Sequence, residues 1–321
     1  MVNQLFTSIP PRILKEIHTL DFKMDSKNGQ EEISKLLDRT VLAGGKRLRP
    51  LLTHLMADLF GLGIEKVRPF ARAIELVHAA SLAHDDVVDN ATTRRGIPSI
   101  NIVGSNKKAV LAGDTLLADV IFNLAGEGNL NLVQEMSSII KSLAQGEWLQ
   151  NDMAESRLYT REVIEKIALH KTASVMSWCC FAPAYVSNSS AAVIDYTRQF
   201  GVHLGIAFQL MDDTLDFSDN SQKDCLLDLK NGLVNSVLFE WLLLNPELMQ
   251  KFQGGEDLSE LFVETNLDKA ISEIEGRALN HLNLAKGLLE VIAREVGADR
   301  DRPQSLKPIY KILEYLGTRR F

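Results

Sequence analysis

Residues 71–89 read ARAIELVHAASLAHDDVVD and residues 201–216 read GVHLGIAFQLMDDTLD. In both, apolar and small side chains cover most of a helix's circumference until an Asp-Asp-x-x-Asp sequence closes the run. Helices of that kind belong in the middle of a bundle, enclosed by other helices. The three- and four-residue spacing continues outward, in Ile33, Leu36, Leu37 and Val41 and again in Val163, Ile164, Ile167 and Ala168, while alternating runs are scarce. This periodicity predicts an all-α chain.

Breaks fall at Ala43-Gly44-Gly45, Arg95-Gly96-Ile97-Pro98, Gly126-Glu127-Gly128-Asn129, Ser187-Asn188-Ser189-Ser190, Asp219-Asn220-Ser221, Gly254-Gly255 and Arg302-Pro303. They leave about ten helices between them. No Pro/Gly/Ser-rich linker or charge block divides the 321 residues, so one large domain over 1–321 is expected. A composition of 45% hydrophobic and 24% charged residues excludes a disordered or fibrous chain.

The net charge of −7 is spread along the chain, which argues against a nucleic-acid or anionic-membrane partner. Cys179, Cys180 and Cys225 are odd in number and lack metal-ligand spacing, as expected of free core thiols in a reducing cytoplasm. Residues 1–10 carry no secretory pattern. The longest apolar stretches, Met176 to Val186 and Val237 to Leu244, fall short of the roughly 20 residues of a membrane span, so the chain is not expected to cross a membrane.

Asp85, Asp86 and Asp89, with Asp212, Asp213 and Asp216, carry the chemistry. Positions i and i+4 share a helix face, so Asp85 projects beside Asp89 and Asp212 beside Asp216. One such pair is ordinarily a solvated helix end. Two pairs on strongly apolar helices, both at the C-terminal end where the helix dipole is already negative, call for cations. Facing each other, they predict a site for Mg²⁺, which takes one or two carboxylates and completes its shell with water and substrate phosphates.

Basic residues stand where phosphate would be held. Gly44-Gly45-Lys46-Arg47-Leu48-Arg49-Pro50 sets three cations behind a flexible Gly pair, and Arg94-Arg95-Gly96 follows the first Asp cluster. Arg forks onto phosphate oxygens and Lys offers a point charge. His78 lies two turns before Asp85, and Gln209 lies three residues before Asp212, in register with the carboxylates.

From Gly44 to about Gly232 these motifs, with Gly113-Asp114, Gly146-Glu147, Lys171-Thr172 and Phe208-Gln209, resemble the trans-isoprenyl diphosphate synthases, or polyprenyl synthetases. The resemblance implies an all-α bundle around a deep central cavity, usually a homodimer, with the two DDxxD motifs facing each other across its mouth. It implies Asp85, Asp89 and Asp212 as direct Mg²⁺ ligands, with Asp86, Asp213 and Asp216 supporting them or bound through water. Lys46, Arg49, His78 and Arg95 resemble the isopentenyl diphosphate site, and Arg94, Lys171 and Lys223 the allylic diphosphate contacts. The implied reaction is head-to-tail prenyl transfer, in which Thr172 and Gln209 offer oxygen dipoles to an allylic carbocation and apolar helices exclude water.

Short-chain members commonly place an aromatic residue a turn before the first motif. Here Ala80 and Ser81 stand there, which predicts an open tunnel and products longer than farnesyl. After the second motif the family's Gly-Lys-x-Thr-x-Pro becomes Gly232-Leu233-Val234-Asn235-Ser236-Val237, so Leu233 replaces a lid lysine and Val237 a proline. Lys223 keeps its distance from Asp228, Lys230 is a candidate substitute cation, and Arg319-Arg320-Phe321 resembles the family's basic tail. The competing expectation is a non-catalytic or regulatory subunit, which Leu233 favours and the intact charge clusters oppose. A terpene cyclase of the same fold is disfavoured, because its second metal motif mixes Asn or Asp with Ser/Thr and Glu.

Overall fold

The computed structural model describes residues 7–22, 31–217 and 233–318. They form helices α1 (Pro11–Thr19), α2 (Glu31–Arg39), α3 (Leu48–Leu59), α4 (Ile64–Val88), α5 (Ile100–Val103), α6 (Asn106–Gly126), α7 (Leu130–Ser156) and α8 (Arg161–Ala168). A π-turn over Leu169–Ala173 leads into α9 (Ser174–Val186) and α10 (Ala191–Leu215). After these come α11 (Ser236–Leu244), α12 (Pro246–Gln253), α13 (Leu258–Leu261), α14 (Leu267–Glu295), α15 (Ala298–Asp301) and α16 (Pro303–Gly317). The all-α expectation holds; among the described residues the only sheet is a hairpin of Thr93–Arg94 (β1) with Ile97–Pro98 (β2).

Backbone packing separates two compact units. The amino-terminal unit comprises residues 9–140 and 182–188 and the carboxy-terminal unit residues 141–181 and 189–321, together with 1–8. In the amino-terminal unit α4 packs against α3 and α6. Val67, Phe70, Ala71, Ile74, Leu76, Val77, Ala79, Ala80 and Ala83 are buried, so α4 is covered on nearly every side, as its sequence requires. Helix α6 starts where Ser105 caps it by accepting from the Lys108 N–H at 3.2 Å. By length and composition α6 is apolar enough to cross a membrane, with only a third of its apolar window buried. Asp114 and Asp119 interrupt its apolar residues, so no unbroken apolar run marks it in the sequence.

In the carboxy-terminal unit α10 runs along α14 and against the π-turn. Two glycines permit that approach: a Cβ on Gly201 would stand 2.6 Å from the Ser177 Cα, and one on Gly205 2.5 Å from the Ala173 Cα. Leu210 and Met211 of α10, Val237 and Trp241 of α11 and Ile274 of α14 share one apolar cluster. Val237, in the position of the family's proline, is fully buried there. Arg161 forks onto the buried Glu240 at 2.9 Å through each of two nitrogens, and Arg277 joins from α14 at 3.0 Å, so this buried carboxylate is paired with two cations.

His54 of α3 is buried, and neither ring nitrogen has a hydrogen-bond partner among the described residues. Burial pushes its pKa down from 6.5 to about 4, with nearby Glu16 opposing and Arg68 adding to the shift. Between those values the unfolded chain binds the proton and the native state does not. Stability is therefore complete above about pH 6.5 and falls as pH drops towards 4, by about 3 kcal/mol in all. Urea unfolding of wild type and His54→Gln from about pH 7 to about pH 5 should show the variant losing about 2 kcal/mol less than wild type. Equal losses would remove His54 as the cause.

Candidate active site

The first motif ends α4, with Asp89 as its C-terminal cap. Asp85 is half-buried, Asp89 exposed and Asp86 fully buried. Asp86 Oδ1 accepts from Arg94 through both Nε and Nη2 at 2.7 Å, and Oδ2 accepts from the Ile100 backbone N–H at 3.3 Å. The loop between them is closed by the Ser99 hydroxyl donating to the Ala91 carbonyl at 2.6 Å. Within the loop, Arg95 (φ 53) and Gly96 (φ 78) are the two left-handed residues of a tight hairpin turn. Arg95 adopts this costly conformation at a site where its guanidinium is useful.

That guanidinium donates to the Ala43 carbonyl at 3.2 Å and lies over Gly45, where a Cβ would stand 2.9 Å from Nη1. Gly45 therefore makes room for Arg95 as well as bending the chain. Arg47 is drawn inward, bonding Glu75 at 2.7 Å and stacking over Phe22 at 4.5 Å, while Lys46 stays exposed. His78 lies among these cations. Burial, then Arg49, Arg95, Arg94 and Arg47, hold its imidazole well below the ordinary value. Desolvation is the larger cause, and the four arginines add a positive field that would favour an anion.

Of the residues expected to border the product chain, Ala80 is fully buried and Ser81 half-buried, its hydroxyl donating to the His78 carbonyl at 2.9 Å. His84, which the sequence reading left out, donates from Nε2 to the Val110 carbonyl at 3.2 Å and stands 3.4 Å from Asp114. A Cβ on Gly113 would overlap that ring, which explains the Gly113-Asp114 motif.

The second motif ends α10, with Asp216 as the cap. Asp212 and Asp216 are half-buried, and Asn235 donates to Asp216 at 3.1 Å while capping α11 through the Leu238 N–H at 3.0 Å. Asp213 is buried; it accepts from Gln209 Nε2 at 2.8 Å and from the Ser236 N–H at 3.0 Å. Burial pushes its carboxyl above the usual range against the pull of those donors. Gln209 Oε1 in turn accepts from the Thr172 hydroxyl at 2.6 Å.

Thr172 and Lys171 sit in the π-turn, a helical irregularity common at functional sites. Lys171 is paired with Glu147 and bonds Gln150 at 3.1 Å. The Gly146-Glu147 motif has a steric cause, since a Cβ on Gly146 would stand 2.7 Å from Lys171 Cγ. Leu233, in the lysine's position, is half-buried. Lys223, Asp228, Lys230, Cys225 and Arg319–Phe321 lie outside the described residues.

The donors suit a hard divalent cation. Among the described residues no three His, Cys, Asp or Glu side chains converge on one point.

The chain is 32% identical over 302 residues to solanesyl-diphosphate synthase 1, mitochondrial, of Oryza sativa subsp. japonica, covering 86% of this chain and 70% of that protein. In fold it is similar to a decaprenyl diphosphate synthase from Rhodobacter capsulatus, with a TM-score of 0.84, 24% identity and 99% and 98% of the two chains covered. It is also similar to a polyprenyl synthase from Caulobacter crescentus CB15 solved in complex with calcium and isoprenyl diphosphate, at a TM-score of 0.78, 24% identity and 100% and 98% coverage. The model of the polyprenyl synthetase family matches residues 30–258, and the chain belongs to that family.

Proposed function

We propose that this prenyltransferase condenses isopentenyl diphosphate with an allylic diphosphate, head to tail, into all-trans polyprenyl diphosphates longer than farnesyl. The observation that carries the reading is the common build of the two motifs. Each ends an apolar helix, buries its second aspartate in protein hydrogen bonds and keeps the flanking aspartates nearer the surface. Asp85, Asp89 and Asp212 are the proposed direct ligands of Mg²⁺, and Asp216 is held in support by Asn235. When bound, the metal offsets the charge that gathers on the departing diphosphate.

The remaining chemistry belongs to side chains. Arg94, Lys171 and Lys223 bind the allylic diphosphate, and Lys171 exchanges Glu147 for phosphate oxygens as it does so. Lys46, Arg49, His78 and Arg95 bind isopentenyl diphosphate, in keeping with the positive potential around His78. Because the Thr172 proton is committed to Gln209, its oxygen has only lone pairs to turn towards a developing carbocation. The small side chains of Ala80 and Ser81 support room there for a lengthening chain.

The named activities of the relatives are elongations, and nothing in them favours the non-catalytic alternative. We take residues 1–321 as one catalytic domain, acting as a homodimer. Val110, Leu111 and Phe122 of α6 and Leu130 of α7 expose apolar side chains, Phe122 by 77% and Leu130 by 80%, as a buried protein contact would require. Cysteine usage supports a cytoplasmic location, while the mitochondrial name of the rice relative supports an organellar one.

Purified protein given isopentenyl and farnesyl diphosphates with Mg²⁺ should yield products longer than farnesyl by mass spectrometry. Absence of elongation from every allylic primer would sink the reading. Asp85→Ala and Asp212→Ala should each lower turnover by roughly 100-fold or more with the helical circular dichroism unchanged; wild-type rates in either would remove that aspartate from the metal site. Ala80→Phe should shorten the product, whereas an unchanged chain length would assign the floor to another residue.

A further inference from the structure

Away from the site described above, two histidines meet across the packed pair of helices α10 and α14. His203 of α10 and His281 of α14 stand with Nδ1 2.9 Å from Nδ1, their ring centroids 5.1 Å apart and their planes inclined by 45°. Only one of the two nitrogens can carry hydrogen in such a bond, so the other aims a bare lone pair at the same spot. Both rings are half-buried, which leaves the pair held by packing and still reached by solvent. We propose that His203 and His281 form a binding site for a divalent transition metal of tetragonal geometry, Cu²⁺ or Ni²⁺, which pins α10 to α14.

The separation of the nitrogens selects the metal. Two nitrogens 2.9 Å apart, each about 2.0 Å from one ion, subtend about 90°, the cis angle of a tetragonal shell. Tetrahedral Zn²⁺ would need them roughly 3.3 Å apart. Imidazole suits these ions and is a poor ligand for Mg²⁺, which prefers oxygen. Water completes the shell, because among the described residues no third His, Cys, Asp or Glu converges on the pair. Binding needs no net change in protons. The hydrogen on one Nδ1 passes to Nε2 of the same ring through water, and both Nδ1 lone pairs are then available to the metal.

The surroundings tolerate a cation. Burial lowers the pKa of His203; burial and then His203 lower that of His281, with Glu165 opposing and Arg277 adding to the shift. Both rings are therefore unprotonated near neutral pH, and protons compete with a metal less than at an exposed histidine. The charge of Arg277 is already met by Glu165 and Glu240, so it sets little field against an incoming ion. His203 lies nine residues before Asp212, about 13 Å along α10, too far for one ion to serve both places. A metal here acts on the fold, by fastening the helix that carries the second motif to its long neighbour α14.

The test adds one equivalent of Cu²⁺ to the whole chain, with excess Mg²⁺ present to compete for carboxylates, and follows it by electron paramagnetic resonance. Wild type should give a tetragonal spectrum split by two imidazole nitrogens, and Cu²⁺ should raise the thermal unfolding midpoint by about 3 °C. His203→Gln and His281→Gln should keep the helical circular dichroism and the copper-free rate of prenyl transfer. Each should lose the two-nitrogen splitting and bind Cu²⁺ about tenfold more weakly, or worse. Copper held equally well by either variant would belong to other histidines and overturn the inference. A check that needs no substitution is anomalous diffraction from wild-type crystals soaked in Cu²⁺. Copper about 2.0 Å from both Nδ1 atoms is the expected result; copper bound elsewhere, or to one ring alone, would overturn the site.

Discussion

A carboxylate taken out of water is costly unless protein donors replace its hydration, and the negative end of a helix dipole adds to the cost. This chain places two carboxylates, Asp86 and Asp213, in such surroundings and surrounds each with N–H donors. What lies around them follows from that requirement. The Arg94 loop folds back because Asp86 needs its guanidinium and the Ile100 N–H. Helix α11 starts where it does because Asp213 takes the Ser236 N–H and Asn235 caps the Leu238 N–H beside it. The flanking aspartates lie nearer the surface and are the ones proposed to meet cations and phosphate.

The helical fold was legible because its periodicity is strong over long segments, and the motifs because charge on an apolar helix demands a reason. Gly113 and Gly146 could be seen as positions within motifs, but their cause is tertiary: His84 crosses over one and Lys171 over the other. The same holds within the Asp triplets. Spacing separates the faces of a helix, yet it cannot tell which face a neighbouring loop will cover, so the burial of Asp86 and Asp213 had to come from the structure. The π-turn under Lys171 and Thr172 leaves no mark in the sequence either, because the residues are good helix formers or neutral and the extra residue is accommodated by packing against α10.

The departures from the family pattern are local. Val237 fills a core position where a proline's rigidity is not needed, since Asn235 already caps α11. Leu233 is half-buried, and its apolar side chain leaves the family's lid lysine without a counterpart at this position. Helix α6 shows how hydropathy and burial part company: it is among the more apolar helices of the chain, yet much of its surface faces outward.

The central claim is a division of labour within each motif, with metal at the flanking aspartates and structure at the second. Anomalous diffraction from crystals holding Mn²⁺ and an unreactive allylic diphosphate analogue tests it at atomic level. The account predicts manganese about 2.1 Å from oxygens of Asp85, Asp89 and Asp212, with Asp86 still on Arg94 and Asp213 still on Gln209. Manganese coordinated by Asp86 or Asp213, or absent from both motifs, would contradict it.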